Sequence, residues 1–480
     1  MMAALLMGAL NATAKDYHYT TVPGDAMKTR IYTLDNGLKV YMSVNKEKPR
    51  LQANIAVKTG SRNDPAETTG LAHYLEHLMF KGTTHFGTTD VEKEKPYLDE
   101  ITRRYESYRK LIDPAQRKQA YHEIDSISQL AARYNIPNEY DKLMASIGSE
   151  GSNAYTSNDV TCYVENIPNN EIENWAKIQS DRFQNMVIRG FHTELEAVYE
   201  EKNITMASDD DKRWAALWKL LTPTHPYGTQ TTIGEQEHLK NPSIVNIQNY
   251  FHHYYVPNNV AIVLAGDFDP DQTIQVIDKY FGGWKKSDKV TRPEFAPQPE
   301  ITAAKDTTVV GQDAENLTMA WRFKGANQGE GDILDIISSI LSNGKAGLFD
   351  TDLTQTMKVQ GVNAGTDEQH DYTAFIAIGM PNQGQKLEEV RALILEEMGK
   401  LRRGEFADDL IPAVIANKKL DFYKSLDDND QRATMMGNAF INDQDWAQVA
   451  NQLERQSKLT KKDIVEFAQK YLRDDNFVCV

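Results

Sequence analysis

Apolar and polar residues alternate over residues 29–45 (TRIYTLDNGLKVYMSVN), and the alternation breaks at Asp35-Asn36-Gly37. A period of two marks a half-buried strand, and Asn-Gly tolerates the positive φ of a tight turn, so the segment is read as two strands and their turn. A third strand is expected over 52–58. The period then switches: over 70–81, Leu71, Leu75, Leu78 and Met79 recur at helical spacing. Residues 91–134 are highly charged, with Leu98, Ile101, Tyr105, Tyr108 and Ile112 at helical spacing and Pro114 interrupting them, which predicts a hairpin of two helices. Strand patterns return at 154–164 and helical ones at 170–186 and 193–206. The run 260–264 suits a buried strand, and a helix then reaches Tyr280.

Residues 285–304 turn polar and Pro-rich, with Pro293, Pro297 and Pro299, and form the best linker. Beyond it the order repeats: strands near 307–323, a helix over 331–341, strands over 361–380. The endings repeat as well, since FHHYYVPNNVAIV and FAQKYLRDDNFVCV are each a helix end, a polar turn and an apolar strand. The second copy stops inside its strand, so the natural polypeptide is expected to continue. The expectation is an α+β chain of two homologous domains, 24–284 and 305–480. Each should be a mainly antiparallel sheet with helices packed on one face, since strands and helices come in blocks.

Composition narrows the chemistry. The 480 residues are 40% hydrophobic and 25% charged, an ordinary soluble globular balance that excludes disorder and collagen-like repeats. With 53 Lys and Arg against 69 Asp and Glu, the net charge is −16, which argues against nucleic acid as a partner. Cys162 and Cys479 are the only cysteines, so any metal site must use His and carboxylates, and both thiols are expected to be unpaired. Residues 1–10 (MMAALLMGAL) precede Ala12-Thr13-Ala14, a small-x-small pattern. Residues 1–14 are read as a secretory leader, which implies export to the periplasm, although the usual leading Lys or Arg is missing. The apolar run is too short to span a bilayer, and no other stretch approaches that length.

His73-Tyr74-Leu75-Glu76-His77 falls on the helix expected over 70–81. Residues four apart share a helix face, so His73 and His77 can present imidazoles to one point, with Glu76 bordering that face. Two neutral imidazoles suit zinc, and a neighbouring carboxylate suits proton transfer from a metal-bound water. The order is that of the inverted zinc-protease motif, H-x-x-E-H. Zinc needs a third protein ligand, and the helix over 193–206 offers glutamates. Glu194, Ala197, Val198 and Glu201 share one stripe, whereas Glu196, Glu200 and Asn203 share another that can face water. Carboxylates at both ends of an Ala-Val stripe are expensive unless paired; a metal would satisfy one and a ligating imidazole the other.

The sequence resembles the pitrilysin and insulinase family of inverted-motif zinc peptidases, on His73-x-x-Glu76-His77 followed by Glu194-x-x-Ala197-Val198-x-x-Glu201. The resemblance implies that one zinc is bound by His73, His77 and Glu201, that Glu76 is the base, and that Glu194 supports the site. Ser152-Asn153-Ala154-Tyr155-Thr156 resembles the family's edge strand, which pairs with the peptide substrate, and Asn258-Asn259 through Gly266-Asp267 resembles the end of its first domain. The helical hairpin at 91–134 departs from the family by lengthening the gap between motif and third ligand. The family also completes its active site with an Arg and a Tyr, seven apart and straddling a Gly, from a C-terminal half or a partner subunit. Around Gly361 those positions hold Met357 and Ala364, which offer no side-chain donor, and the second copy's helix has no zinc motif.

The implied function is that of a zinc metalloendopeptidase on peptides or unfolded polypeptides, Glu76 activating a zinc-bound water. The chain would be the zinc-bearing half, and a second half or subunit with the Arg and Tyr would be its partner. A second reading stays open: a non-catalytic homologue acting as a structural or peptide-binding partner.

Overall fold

The computed structural model describes residues 15–480; the leader expected over 1–14 lies outside them. The two regions of alternating sequence form two sheets. The first has seven strands in the order β1-β2-β3-β7-β4-β6-β5: β1 Tyr19–Thr20, β2 Arg30–Thr33, β3 Lys39–Val44, β4 Arg50–Val57, β5 Glu150–Thr156, β6 Thr161–Pro168 and β7 Val260–Gly266. The second has the order β10-β11-β9-β12-β8: β8 Lys305–Asp306, β9 Leu317–Lys324, β10 Gly361–Glu368, β11 Tyr372–Met380 and β12 Val478–Cys479. Only β3–β7 and β8–β12 pair in parallel. Set side by side, β3-β7-β4-β6-β5 and β8-β12-β9-β11-β10 are one topology used twice. In each copy a helix follows the central strand, Leu71–Leu78 after β4 and Gly331–Leu341 after β9.

Each copy packs most of its own helices on one face of its sheet, where Leu71, Leu75 and Leu78 meet Ile55 and Leu264. The other face is covered by a helix from the opposite copy. Helix Asn429–Ile441 lays Met436, Ala439 and Phe440 against Tyr41, Ala56, Ala261 and Val263 of the first sheet. Reciprocally, helix Asp209–Leu221 lays Leu217, Trp218 and Leu221 against Ala320, Ala374, Ile376 and Val478 of the second. A strand covered on both faces cannot alternate, which explains why β7 reads VAIVLAG and is buried throughout. Cys162 and Cys479 are both buried and free.

The helices Val91–Tyr108 and Pro114–Ala131 form a hairpin, capped by Asp90 and Asp113, with Pro114 at the first helical position. It is pinned to the domain by a buried ion pair: Arg189 Nε and Nη2 lie 2.7 and 3.0 Å from the two Glu94 oxygens. Arg189 also donates to the carbonyls of Lys81 and Thr83, just beyond the helix Leu71–Leu78.

Loops of the two copies meet in a charged seam. Arg62 Nη1 lies 3.0 Å from both Asp159 and Asp371. His370 bridges two carboxylates, with Nδ1 2.6 Å from Asp371 and Nε2 3.1 Å from Asp443. Asp443 also pairs with Arg292 and Lys58, and His225 Nε2 lies 2.9 Å from Asp371. Burial raises both aspartates, but hydrogen bonds and cations outweigh it and hold them well below the usual carboxylate range.

Candidate functional site

The helix Leu71–Leu78 is positioned at its start. Gly70 stands at φ +88°, and a Cβ there would come 2.7 Å from the Ile233 carbonyl oxygen, so only glycine fits. The Asp64 carboxylate accepts from the N–H groups of Gly70, Leu71 and Ala72 at 2.7, 3.1 and 3.1 Å, satisfying donors the helix cannot. Leu71, Leu75 and Leu78 are buried, and this fixes the rotation that turns His73 and His77 the other way. The two rings meet edge to face, with centroids 4.7 Å apart and planes at 70°.

Helix Phe191–Ala207 brings Glu201 to them. Glu201 Oε1 lies 3.6 Å from His73 Nε2, and Oε2 lies 3.5 Å from His77 Nε2. These distances are too long for hydrogen bonds. They match a shared ion, because tetrahedral ligands at about 2.0–2.2 Å from a metal stand about 3.4 Å apart. The three side chains are the group that could hold a metal among the described residues. Burial, followed by the His77 charge, brings His73 down to about 4, so its ring is neutral, as ligation requires. His73 Nδ1 is buried without a partner.

His77 and Glu194 are paired at 2.8 Å, Nδ1 to Oε1, and Lys81 Nζ lies 2.5 Å from the other Glu194 oxygen. Burial favours neutral His77 and neutral Glu194, but the pairing outweighs it, lifting the imidazole above its ordinary value and depressing the carboxylate. Glu76 is 8% exposed, and burial raises it; its hydrogen-bond donor is Thr156 Oγ1, 2.7 Å from Oε2.

Thr156 ends β5, the edge strand of the first sheet, hydrogen-bonded to β6 on one side only. A cavity of about 780 Å³ runs from His73, Glu76 and His77 along Asn153, Ala154 and Tyr155. Ser152, earlier on β5, is bound to the buried Glu165 instead. The carboxylate stripe differs from expectation in its surroundings: Val198 is buried, but Ala197 is exposed and the Glu201 side chain is 48% exposed. The stripe borders the open cavity rather than the core, so hydration shares the cost of its charge. In the second copy, Met357 is exposed at φ +56° and Ala364 lies on β10, its carbonyl accepting from Ser338. Sequence reasoning missed Asp64 and Lys81. Lys81 stands four residues after His77, a spacing that could have pointed to it; Asp64 acts from a loop with no periodic signal.

The sequence matches two family descriptions, "Insulinase (Peptidase family M16)" over residues 39–96 and "Peptidase M16 inactive domain" over residues 244–418. The chain belongs to the pitrilysin and insulinase family of peptidases. Zinc protease PqqE of Helicobacter pylori is 23% identical over 453 residues, covering 92% of this chain and 90% of its own. The uncharacterized zinc protease YmxG of Bacillus subtilis is 24% identical, covering 78% of each chain. Among solved structures, a protease from Helicobacter pylori shares the fold at TM-score 0.77 and 21% identity, over 94% of this chain and 98% of that one. The periplasmic protease PqqL from Escherichia coli matches at TM-score 0.73 and 15% identity over 96% of this chain, which spans only 48% of PqqL. No helix among the described residues is long and apolar enough to cross a membrane.

Proposed function

We propose that this chain is a zinc metalloendopeptidase acting on peptides or unfolded polypeptides, with one zinc held by His73, His77 and Glu201. The carrying observation is the arrangement of Glu201 oxygens 3.5–3.6 Å from two imidazole nitrogens, with the Glu76 carboxylate on the same helix. Zinc, when bound there, supplies the Lewis acidity that polarises the scissile carbonyl and acidifies water. Glu76 takes the proton of the attacking water and delivers it to the leaving amine. Glu194, backed by Lys81, orients His77. The substrate's main chain adds along the free edge of β5 from Asn153 to Thr156, so affinity comes from backbone hydrogen bonds and makes little demand on sequence.

The zinc-bearing domain is 24–284, with the hairpin inserted in it, and 305–480 is the zinc-free copy beyond a linker at 285–304. Full activity draws an Arg and a Tyr from a second half or partner subunit. This is supported by Met357 and Ala364 at the corresponding positions, and by the chain spanning about half of PqqL. An exported, periplasmic location is part of the proposal and is supported by the periplasmic PqqL.

The test measures zinc content and cleavage of an unfolded peptide for the wild type and for Glu76→Gln. Assays use the chain alone and with an added family half that carries the Arg and Tyr. Both proteins should bind zinc, the wild type should cleave weakly alone and strongly with the added half, and Glu76→Gln should not cleave. Zinc binding without any cleavage by the wild type, even with the added half, would favour the non-catalytic reading; absence of zinc would overturn the peptidase reading.

A further inference from the structure

We infer that Thr156 is a positioning residue for Glu76, holding its carboxylate from the strand on which the peptide docks. The inference rests on the peptidase reading for the role of Glu76 and for peptide docking on β5, and on geometry for the rest.

The two residues are 80 positions apart, and Thr156 Oγ1 stands 2.7 Å from Glu76 Oε2. A hydroxyl has one proton to give. Its other neighbour, Thr161 Oγ1, lies at 3.5 Å, and the Thr161 proton is committed to the Thr59 carbonyl at 3.0 Å. Distance and charge both favour the carboxylate, so the Thr156 proton points to Glu76. Among the described residues this is the only side-chain hydrogen bond to Glu76. A glutamate has three rotatable bonds, and here one contact selects its rotamer.

The donor is itself fixed. Threonine is β-branched and stiff at χ1. Thr156 lies directly opposite Thr161 in the β5–β6 register, next to a turn closed by the Ser157 N–H on the Val160 carbonyl. That turn is tied to the second copy, Asn158 Nδ2 donating to Gln369 Oε1 at 2.7 Å, and to Arg62 through Asp159. The same hydroxyl serves both protonation states. When Glu76 has taken the water's proton, Thr156 can accept from the carboxylic acid and turn its own proton to Thr161. No proton is gained or lost by Thr156. Peptide pairing along β5 orders the strand that carries this hydroxyl, so docking and base alignment share one element.

Thr156→Val removes the hydroxyl and keeps the shape; Thr156→Ser keeps the hydroxyl. A charge-assisted hydrogen bond of ordinary strength corresponds to a fall in kcat of about tenfold to a hundredfold for Thr156→Val, with KM within about twofold because the main chain is untouched. Zinc content should be unchanged, and Thr156→Ser should recover most of the loss. A crystal structure of Thr156→Val should show Glu76 in a different rotamer or in several. The inference is overturned by wild-type kcat in Thr156→Val, by a loss confined to KM, by equal impairment in Thr156→Ser, or by an unchanged Glu76 rotamer. A displaced Glu76 in Thr156→Val together with a wild type that cleaves nothing would count against the peptidase reading and leave the positioning role standing.

Discussion

Glu194 joins His77 and Lys81 through one carboxylate: Oε1 takes the His77 Nδ1 proton at 2.8 Å, and Oε2 meets Lys81 Nζ at 2.5 Å. The pairing holds a proton on His77 Nδ1, so Nε2, on the side where Glu201 stands, is the nitrogen that can ligate a metal. Partners of this kind behind a ligating histidine typically carry 10–100-fold in metal affinity. Glu194→Ala is therefore expected to weaken zinc binding by roughly that factor in competition with a chromogenic chelator. Unchanged affinity would make the pair a packing feature only.

The ligand assignment separates two neighbours on one helix. Glu201 lies within reach of both imidazoles, whereas Glu200 is exposed and bonded to Asn203. Elemental analysis should find about one zinc per chain in Glu200→Gln and little in Glu201→Gln, because an amide is a poor ligand for zinc. The reverse pattern would move the site.

The hairpin's anchor gives a stability prediction. Glu94 and Arg189 are 0% and 2% exposed and bonded at 2.7 and 3.0 Å, so removing one partner strands the other's charge in the core. Breaking such a buried pair typically costs about 3–5 kcal/mol, while replacing both by apolar residues is often near neutral. In urea unfolding, Glu94→Ala should show the large loss. The double variant Glu94→Met, Arg189→Met should regain part of it, limited by the carbonyls of Lys81 and Thr83 that Arg189 also satisfies.

His370 gives the seam a pH response. Burial pulls its imidazole down, but the Asp371 and Asp443 carboxylates outweigh that and the Arg292 charge, so its folded value lies above the ordinary one. A raised histidine adds stability that is complete below the unfolded value of about 6.5 and is lost as pH rises through the folded value. The urea midpoint of the wild type should therefore fall from about pH 6 to about pH 8.5, and His370→Gln should flatten that slope. The lowered aspartates act elsewhere: their stabilisation is present above about pH 4 and disappears in acid. An equal slope in His370→Gln would assign the pH response to other groups.

Those seam residues show what a linear reading misses. The inverted motif was legible because both imidazoles lie four apart on one helix, where spacing alone sets the geometry. Strands such as β3 and β7 were legible because burial on one or both faces leaves a pattern in apolar residues. The crossing helices are different. Asp209–Leu221 is amphipathic, but its spacing does not say which sheet its apolar face meets, and Leu217 and Trp218 pack on the second copy. The stripe of Glu194 and Glu201 was legible in the spacing, and only the family resemblance singled out Glu201 as the expected ligand; the stripe borders an open cavity. The family resemblance put Thr156 on the strand expected to pair with substrate; its bond to Glu76 spans 80 positions and has no local signature. Asp159, Asp371 and Asp443 lie between elements, where periodicity carries no information.

The exchanged helices also constrain how the chain is made. Arg432 Nη1 bonds Ser43 Oγ at 2.9 Å across 389 positions, and the helix that carries Arg432 covers the back of the first sheet. A ribosome adding about 5–20 residues per second delivers that helix long after β3 has emerged. During that interval Tyr41, Ala56, Ala261 and Val263 have no cover, so the first domain cannot finish folding while it is still being synthesised. The nascent protein must wait for its distant segment with an apolar surface exposed, a state in which chaperone binding and aggregation compete.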